Sequence, residues 1–99
     1  MSKTHYMLKL LPCRPTFAQD MTDAERAIMM QHIAYWKPYL DDGTMIVFGP
    51  VFDPAGAYGL GIIAVDSEEQ AKTLMANDPA SAINTYVYHP MRAVIASAG

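Results

Sequence analysis

The apolar residues of this chain repeat every two positions, then at the helical spacing, then every two again, and the cycle runs twice. Few folds accommodate that order. Residues 4–13, THYMLKLLPC, place Tyr6, Leu8 and Leu10 on one face of a strand and His5, Met7, Lys9 and Leu11 on the other. Pro15 and the polar stretch RPTFAQDM (14–21) end the alternation in a loop. Thr22 followed three residues later by Glu25 is a capping-box signature, and it predicts a helix from Asp23 to about Leu40. On that helix Ile28, Met29, His32, Ile33, Tyr35, Trp36, Tyr39 and Leu40 fall on one broad arc, opposite Gln31, Ala34 and Pro38. Pro38 removes a backbone donor and should kink or tighten the last turn. Asp41-Asp42-Gly43 then stops the helix, with Gly43 suited to the left-handed position beyond its end.

The second cycle follows at once. TMIVFGPVF (44–52) reads as a strand, DPAG (53–56) as a turn, and AYGLGIIAV (57–65) as a third strand in hairpin relation to the second. Gly59 and Gly61 leave one face of that third strand nearly bare near its start, which suggests close approach of a partner backbone or a ligand. Ser67 caps a second helix over 68–78, with Glu68 and Glu69 in its positive first turn and Ala71, Leu74 and Met75 on its buried face. Asn77-Asp78-Pro79 ends it, because the residue before proline avoids the helical region. A long final strand, 83–96, contains Pro90, which implies a bulge or an edge position. The order is β-α-β-β-α-β, the ferredoxin-like α+β arrangement: an antiparallel sheet with both helices on one face. Residues 1–99 form one domain, with no second unit and no internal repeat beyond the weak βαβ duplication.

Both phases of the strands are apolar, so the open face of the sheet is apolar too. The composition, 52% hydrophobic and 17% charged, carries the same message. A chain this short has little interior, and the excess is best absorbed by a second copy packed sheet to sheet as a homodimer. A net charge of −3 argues against nucleic acid, which demands a basic face. No run approaches the eighteen or so apolar residues of a membrane span. The N-terminal stretch lacks the apolar region and cleavage site of a secretory signal. The single Cys13 fits a reducing compartment, so a cytoplasmic location is expected.

Chemistry has few candidates. His32 sits amid Ile28, Met29 and Trp36, where it is either a packed core or dimer-rim histidine or a titrating group in a site. The second reading needs a partner that orients the ring and an adjoining void open to solvent. Asp78 is the candidate partner. At the negative end of a helix dipole a carboxylate is unwelcome, so it either makes a plain Asx-turn or meets His32 and fixes its tautomer, as an orienter does for a general base. Cys13 beside Arg14 could be an activated thiol or merely a strand end, and Asp41 and Asp42 face water. His5 and His89 lack a second ligand at metal spacing, and no phosphate, dinucleotide or nucleophile-elbow motif occurs, so neither metal nor cofactor is implied. The six tyrosines could line an apolar pocket, or serve as core and interface.

His32, ten residues, Gly43, five residues, Gly49-Pro50, then Asp78-Pro79 and a final strand with Pro90: in this order the motifs resemble the YciI-like (YCII-related) family over roughly residues 25–95. The resemblance implies a ferredoxin-like fold that dimerises through its sheets, the dimeric α+β barrel. It implies a His-Asp pair, here His32 and Asp78, working on a small organic molecule in a pocket, with lyase or dehydrochlorinase-like acid/base chemistry in some relatives. Gly49 and Pro50 would shape the pocket wall, with Trp36 and Tyr58 adding apolar surface to it. A non-catalytic small-molecule-binding or accessory dimer is the alternative. Two departures from the family pattern should change the pocket: a longer, proline-bearing loop from Cys13 to Asp20, and the small residues Ala80-Ser81-Ala82 after the Asp-Pro step.

Overall fold

Residues 3–96 are described in the computed structural model. They form β1 (Thr4–Leu11), α1 (Phe17–Asp20), α2 (Asp23–Asp41), β2 (Met45–Val51), β3 (Tyr58–Val65), α3 (Glu68–Asn77), a 3-10 turn (Pro79–Ala82) and β4 (Thr85–Met91). The long helices begin where side chains take over their first orphan N–H groups. The Glu25 N–H donates to Thr22 Oγ1 (3.1 Å) and the Thr22 N–H to Glu25 Oε1 (2.9 Å), a complete capping box. At α3 the Gln70 N–H donates to Ser67 Oγ (3.2 Å). Gly43, with φ +85°, closes the end of α2 in a conformation that favours glycine.

The four strands pair in the order β2-β3-β1-β4, every neighbouring pair antiparallel. This is the βαββαβ ferredoxin-like arrangement, with both long helices packed on one face. Tyr6 and Leu8 of β1, Met45 of β2, and Ile63 and Val65 of β3 meet Trp36 from α2 and Ala71, Leu74 and Met75 from α3 in a single core. The other phase of the strands forms the open face. There Met7 pairs with Ile62 and His89, Lys9 with Leu60 and Val87, and Val47 with Ile62. Pro90 lies on β4, an edge strand, where a missing donor costs the sheet least.

The structure corrects several sequence expectations. The first strand stops at Leu11 rather than Cys13, and the loop after it contains the helical turn α1. The last strand covers only Thr85–Met91: Ile83 caps the 3-10 turn that Asp78 starts, and beyond Met91 the described residues have no neighbouring strand to pair with. The buried arc of α2 is narrower than its apolar pattern: Ile33 is 49% exposed and Leu40 is also exposed, since a helix lying on a sheet hides only the stripe beneath it. Gly59 and Gly61 belong to the helix-facing side, away from the open face a partner sheet would cover; their close neighbours come from this same chain, and Gly59 also borders a cavity. A Cβ at Gly59 would meet Leu10 Cβ at 3.2 Å, and one at Gly61 would meet Met45 Cε at 3.2 Å.

The segment around α1 is tied down as a flap. Arg14 Nη1 and Nη2 donate to Glu25 Oε2 and Oε1, both at 2.8 Å, while Nε donates to Asp20 Oδ1 at 2.8 Å. A forked pair of this kind fixes direction as well as distance. It joins the flap to the first turn of α2 and seats Phe17, which is buried. The Glu25 carboxyl is held down to about 2 from an ordinary 4.5, first by the Arg14 hydrogen bond and then by the Thr22 backbone. A depressed carboxylate contributes fully above its ordinary value and loses that contribution as pH falls through its folded value. Hydrogen exchange of the flap amides, corrected for intrinsic rate, should therefore stay slow at about pH 5 and quicken progressively from about pH 4 toward 2. In Arg14→Ala the same amides should exchange fast throughout.

Candidate functional site

His32 and Trp36 are four residues apart on α2, so their side chains project side by side from the same face. Both reach one oxygen. His32 Nδ1 lies in hydrogen-bond contact with Asp78 Oδ2 at 2.7 Å, and the Trp36 Nε1–H donates to the same atom at 2.9 Å. From β4 the Tyr86 hydroxyl donates to Oδ2 as well. The other oxygen, Oδ1, accepts the Ala80 N–H at 2.9 Å and so starts the 3-10 turn. Asp78 is thus both the Asx-type turn residue and the partner of His32, one oxygen for each duty.

The carboxylate is only 1% exposed. Burial pushes its pKa up, but the hydrogen bonds from His32, Tyr86 and the Ala80 backbone outweigh burial and hold it below the ordinary carboxylate value. Four hydrogen bonds use about the full accepting capacity of the group. The Trp36 and Ala80 groups can only donate, so the environment calls for an ionised Asp78. An ionised acceptor in turn requires the proton of His32 on Nδ1, which leaves Nε2 with a lone pair when the ring is neutral. Tyr86 is held far above the usual phenol range by burial and by the Asp78 charge, so it stays a hydroxyl donor. Tyr35, likewise raised by burial, donates to Leu74 O at 2.6 Å and satisfies a carbonyl in the last turn of α3.

Beyond the pair lies space. A cavity of about 250 Å³, open to solvent on one side, runs between the flap, α2 and the sheet. Its walls include Phe17 and Met21 from the flap, Met29 and His32 from α2, Leu10 and Gly59 from the strands, and Asn84 ahead of β4. His32 Nε2 makes no hydrogen bond to any described residue, while the ring lines this cavity and packs edge-on against Phe48, centroids 5.8 Å apart.

The other residues singled out from the sequence are placed unevenly. Pro50 and Tyr58 border the cavity, although the Tyr58 ring also carries Lys9 Nζ 4.3 Å over its centroid on the open face of the sheet. Trp36 is 0% exposed, reaches only a crevice of about 10 Å³ beside His32, and serves to hold the carboxylate. Gly49 lies on the far face of β2: it pairs with Leu60, whereas its neighbours Phe48 and Pro50 pair with the helix-side Gly61 and Gly59. Cys13 is exposed, with Sγ 3.7 Å from Arg14 Nη1 and 3.9 Å from Glu25 Oε2. Asp41 and Asp42 are exposed, and Asp42 Oδ1 accepts the Thr44 N–H at 2.9 Å. His5 and His89 lie on the open face. Among the described residues no group of three or more His, Cys, Asp or Glu side chains is placed to hold a metal ion, and no helix is long and apolar enough to cross a membrane. Sequence reasoning passed over Tyr86 as a donor to Asp78, and Asn84 entirely. The in-phase Tyr86 and Tyr88 of the last strand were visible, but which one meets Asp78 depends on the 3-10 turn between them.

Compared with known families, the chain matches the YCII-related domain over residues 7–93, and it belongs to that family. The comparison with curated proteins returned no match.

Removing the carboxylate strands four donors at once. Asp78→Ala is expected to lower unfolding stability by about 3–5 kcal/mol, the usual cost of breaking a buried charged network. Urea unfolding would show it as a lower midpoint with an unchanged slope.

Proposed function

We propose, from membership of the YCII-related family and the geometry of the His32 site, that this protein catalyses proton transfer on a small organic molecule bound in the 250 Å³ cavity. His32 Nε2 is the general base and acid, and Asp78 is the positioning residue that keeps the proton on Nδ1. The observation that carries this reading is the 2.7 Å contact between His32 Nδ1 and a fully buried, donor-saturated carboxylate, in a ring whose other nitrogen has no partner. A core histidine does not need such a counterpart, and a general base does.

The chemistry this supports is elimination or isomerisation. Nε2 takes a proton from carbon, and the C–H electron pair becomes a new double bond. In a dehydrochlorinase-like reaction chloride then departs with its bonding pair; in an isomerisation the imidazolium returns the proton elsewhere. Neither route needs a redox partner. The imidazolium that forms is stabilised by the Asp78 charge beside it, and water is limited by the apolar walls.

The assembly that completes the molecule is a homodimer joined through the open sheet faces. Met7, Leu60, Ile62, Val47 and Val87 form the apolar patch, and a monomer rarely leaves such a surface to solvent. Mass measurement by light scattering should give twice 10.9 kDa, and Ile62→Lys, in the middle of that face, should return the monomer mass.

Candidate substrates such as β-chloro carbonyl compounds or small lactones provide the activity test. His32→Ala is expected to lower kcat by roughly 10²–10⁴-fold. Turnover unchanged in His32→Ala would refute the catalytic role and leave the protein a binding module.

A further inference from the structure

Phe17 is buried, 6% exposed, yet it takes no part in the core that Trp36 and Leu8 build between helices and sheet. Leu10 is likewise buried and outside that core. Both line the 250 Å³ cavity that His32 lines. They belong to a second, smaller apolar compartment, and the cavity is its interior. The flap brings Phe17 there without a hydrogen bond to the sheet. Among the described residues, the hydrogen bonds of 13–21 run within the flap or to Glu25 and Arg26 in the first turn of α2. The forked Arg14–Glu25 pair sets where the flap stands. The Phe17 N–H, donating to Arg14 O at 3.2 Å, ties the aromatic residue to that anchor.

The walls of the cavity differ in how far they can yield. Met21 and Met29 are unbranched thioethers that reshape around what they meet. Gly59 offers no side chain, and the Tyr58 ring lies under Lys9 on the open face of the sheet. Phe17 is the largest stiff side chain left on the helix side. From this we infer that Phe17 is the specificity-determining residue of the cavity: its ring sets the upper limit on ligand size, so that compact apolar molecules enter and larger ones are turned away. The inference rests on the cavity being the working site proposed above, and it adds the group that selects the ligand there. An apolar cavity of about 150 Å³ takes up a benzene ring. The 250 Å³ here has room for one ring carrying a few further carbons. A ligand beyond that size must displace an anchored aromatic ring, and overpacking of this kind is unfavourable.

The test is a ladder of cyclic ketones, from cyclopentanone to cyclododecanone, which differ only in the number of methylenes. Each is titrated into the wild-type protein, Phe17→Ala and Phe17→Trp, with affinities read from NMR chemical shifts. In the wild type, affinity should rise roughly fourfold per methylene until the ring meets Phe17, and then fall. In Phe17→Ala the maximum should move to rings larger by several methylenes, and the first ring rejected by the wild type should bind about tenfold tighter or more. In Phe17→Trp the maximum should move to smaller rings. The best-binding ketone should also show a nuclear Overhauser contact to the Phe17 ring of the wild type. A maximum at the same ring size in every variant, a bound ketone with no contact to Phe17, or a wild-type protein that binds no ring would overturn the inference. The contact measurement needs no variant, so it stands even where Phe17→Ala does not fold. Nothing is turned over, so a catalytically silent His32 would leave the size profile intact, and an unmoved profile would leave the His32→Ala test untouched.

Discussion

The Asp78 carboxylate is taken out of water and surrounded by donors from every element that meets at its end of the sheet. His32 and Trp36 come from α2, Tyr86 from β4, and the Ala80 N–H from the turn that Asp78 itself begins. A buried charge of this kind is costly alone and stable only with its donors in place, so each depends on the others. The position it occupies sharpens the requirement. It follows α3 directly, where the helix dipole repels a negative group. The network therefore locks the end of α3, the face of α2 and the start of β4 into one register.

That register is what makes a site out of an ordinary fold. Spacing by one helical turn lets His32 and Trp36 share an oxygen, and the shared oxygen decides which nitrogen of His32 is engaged. The same turn that Asp78 starts delivers Asn84 to the cavity wall. On the opposite side, Arg14 bridges the flap to Glu25, so the residues that cap α2 also hold the cavity's cover. Structural and functional demands fall on the same few side chains.

The fold was written in local pattern, and the site only partly. Alternation in 4–13 and 57–65, the Thr22–Glu25 box, Ser67 and Gly43 each act within a few residues, and each was readable there. The pairing of His32 with Asp78 spans 46 positions: the helix-end position of Asp78 made it a candidate partner, and only the resemblance of motif order favoured the pairing over a plain Asx-turn. The α1 turn escaped because a four-residue helix has no periodicity to read; its stability comes from Arg14 contacts. The extent of β4 was overestimated because apolar residues beyond Met91 extend the pattern without a neighbouring strand to pair with. Trp36 looked like a pocket wall because sequence reports which face a residue occupies, and not its depth. Asn84 carried no signal at all, since an amide at a strand start is unremarkable until its partners are counted.

The most direct test of this account is the tautomer of His32, read by long-range proton–nitrogen NMR of its imidazole at a pH where the ring is neutral. The expected result is a proton on Nδ1, hydrogen-bonded to Asp78, and an unprotonated Nε2 facing the cavity. A proton on Nε2, with Nδ1 bare beside Asp78, would contradict it: Asp78 would then have to be protonated, and the ring would have no base to offer a ligand.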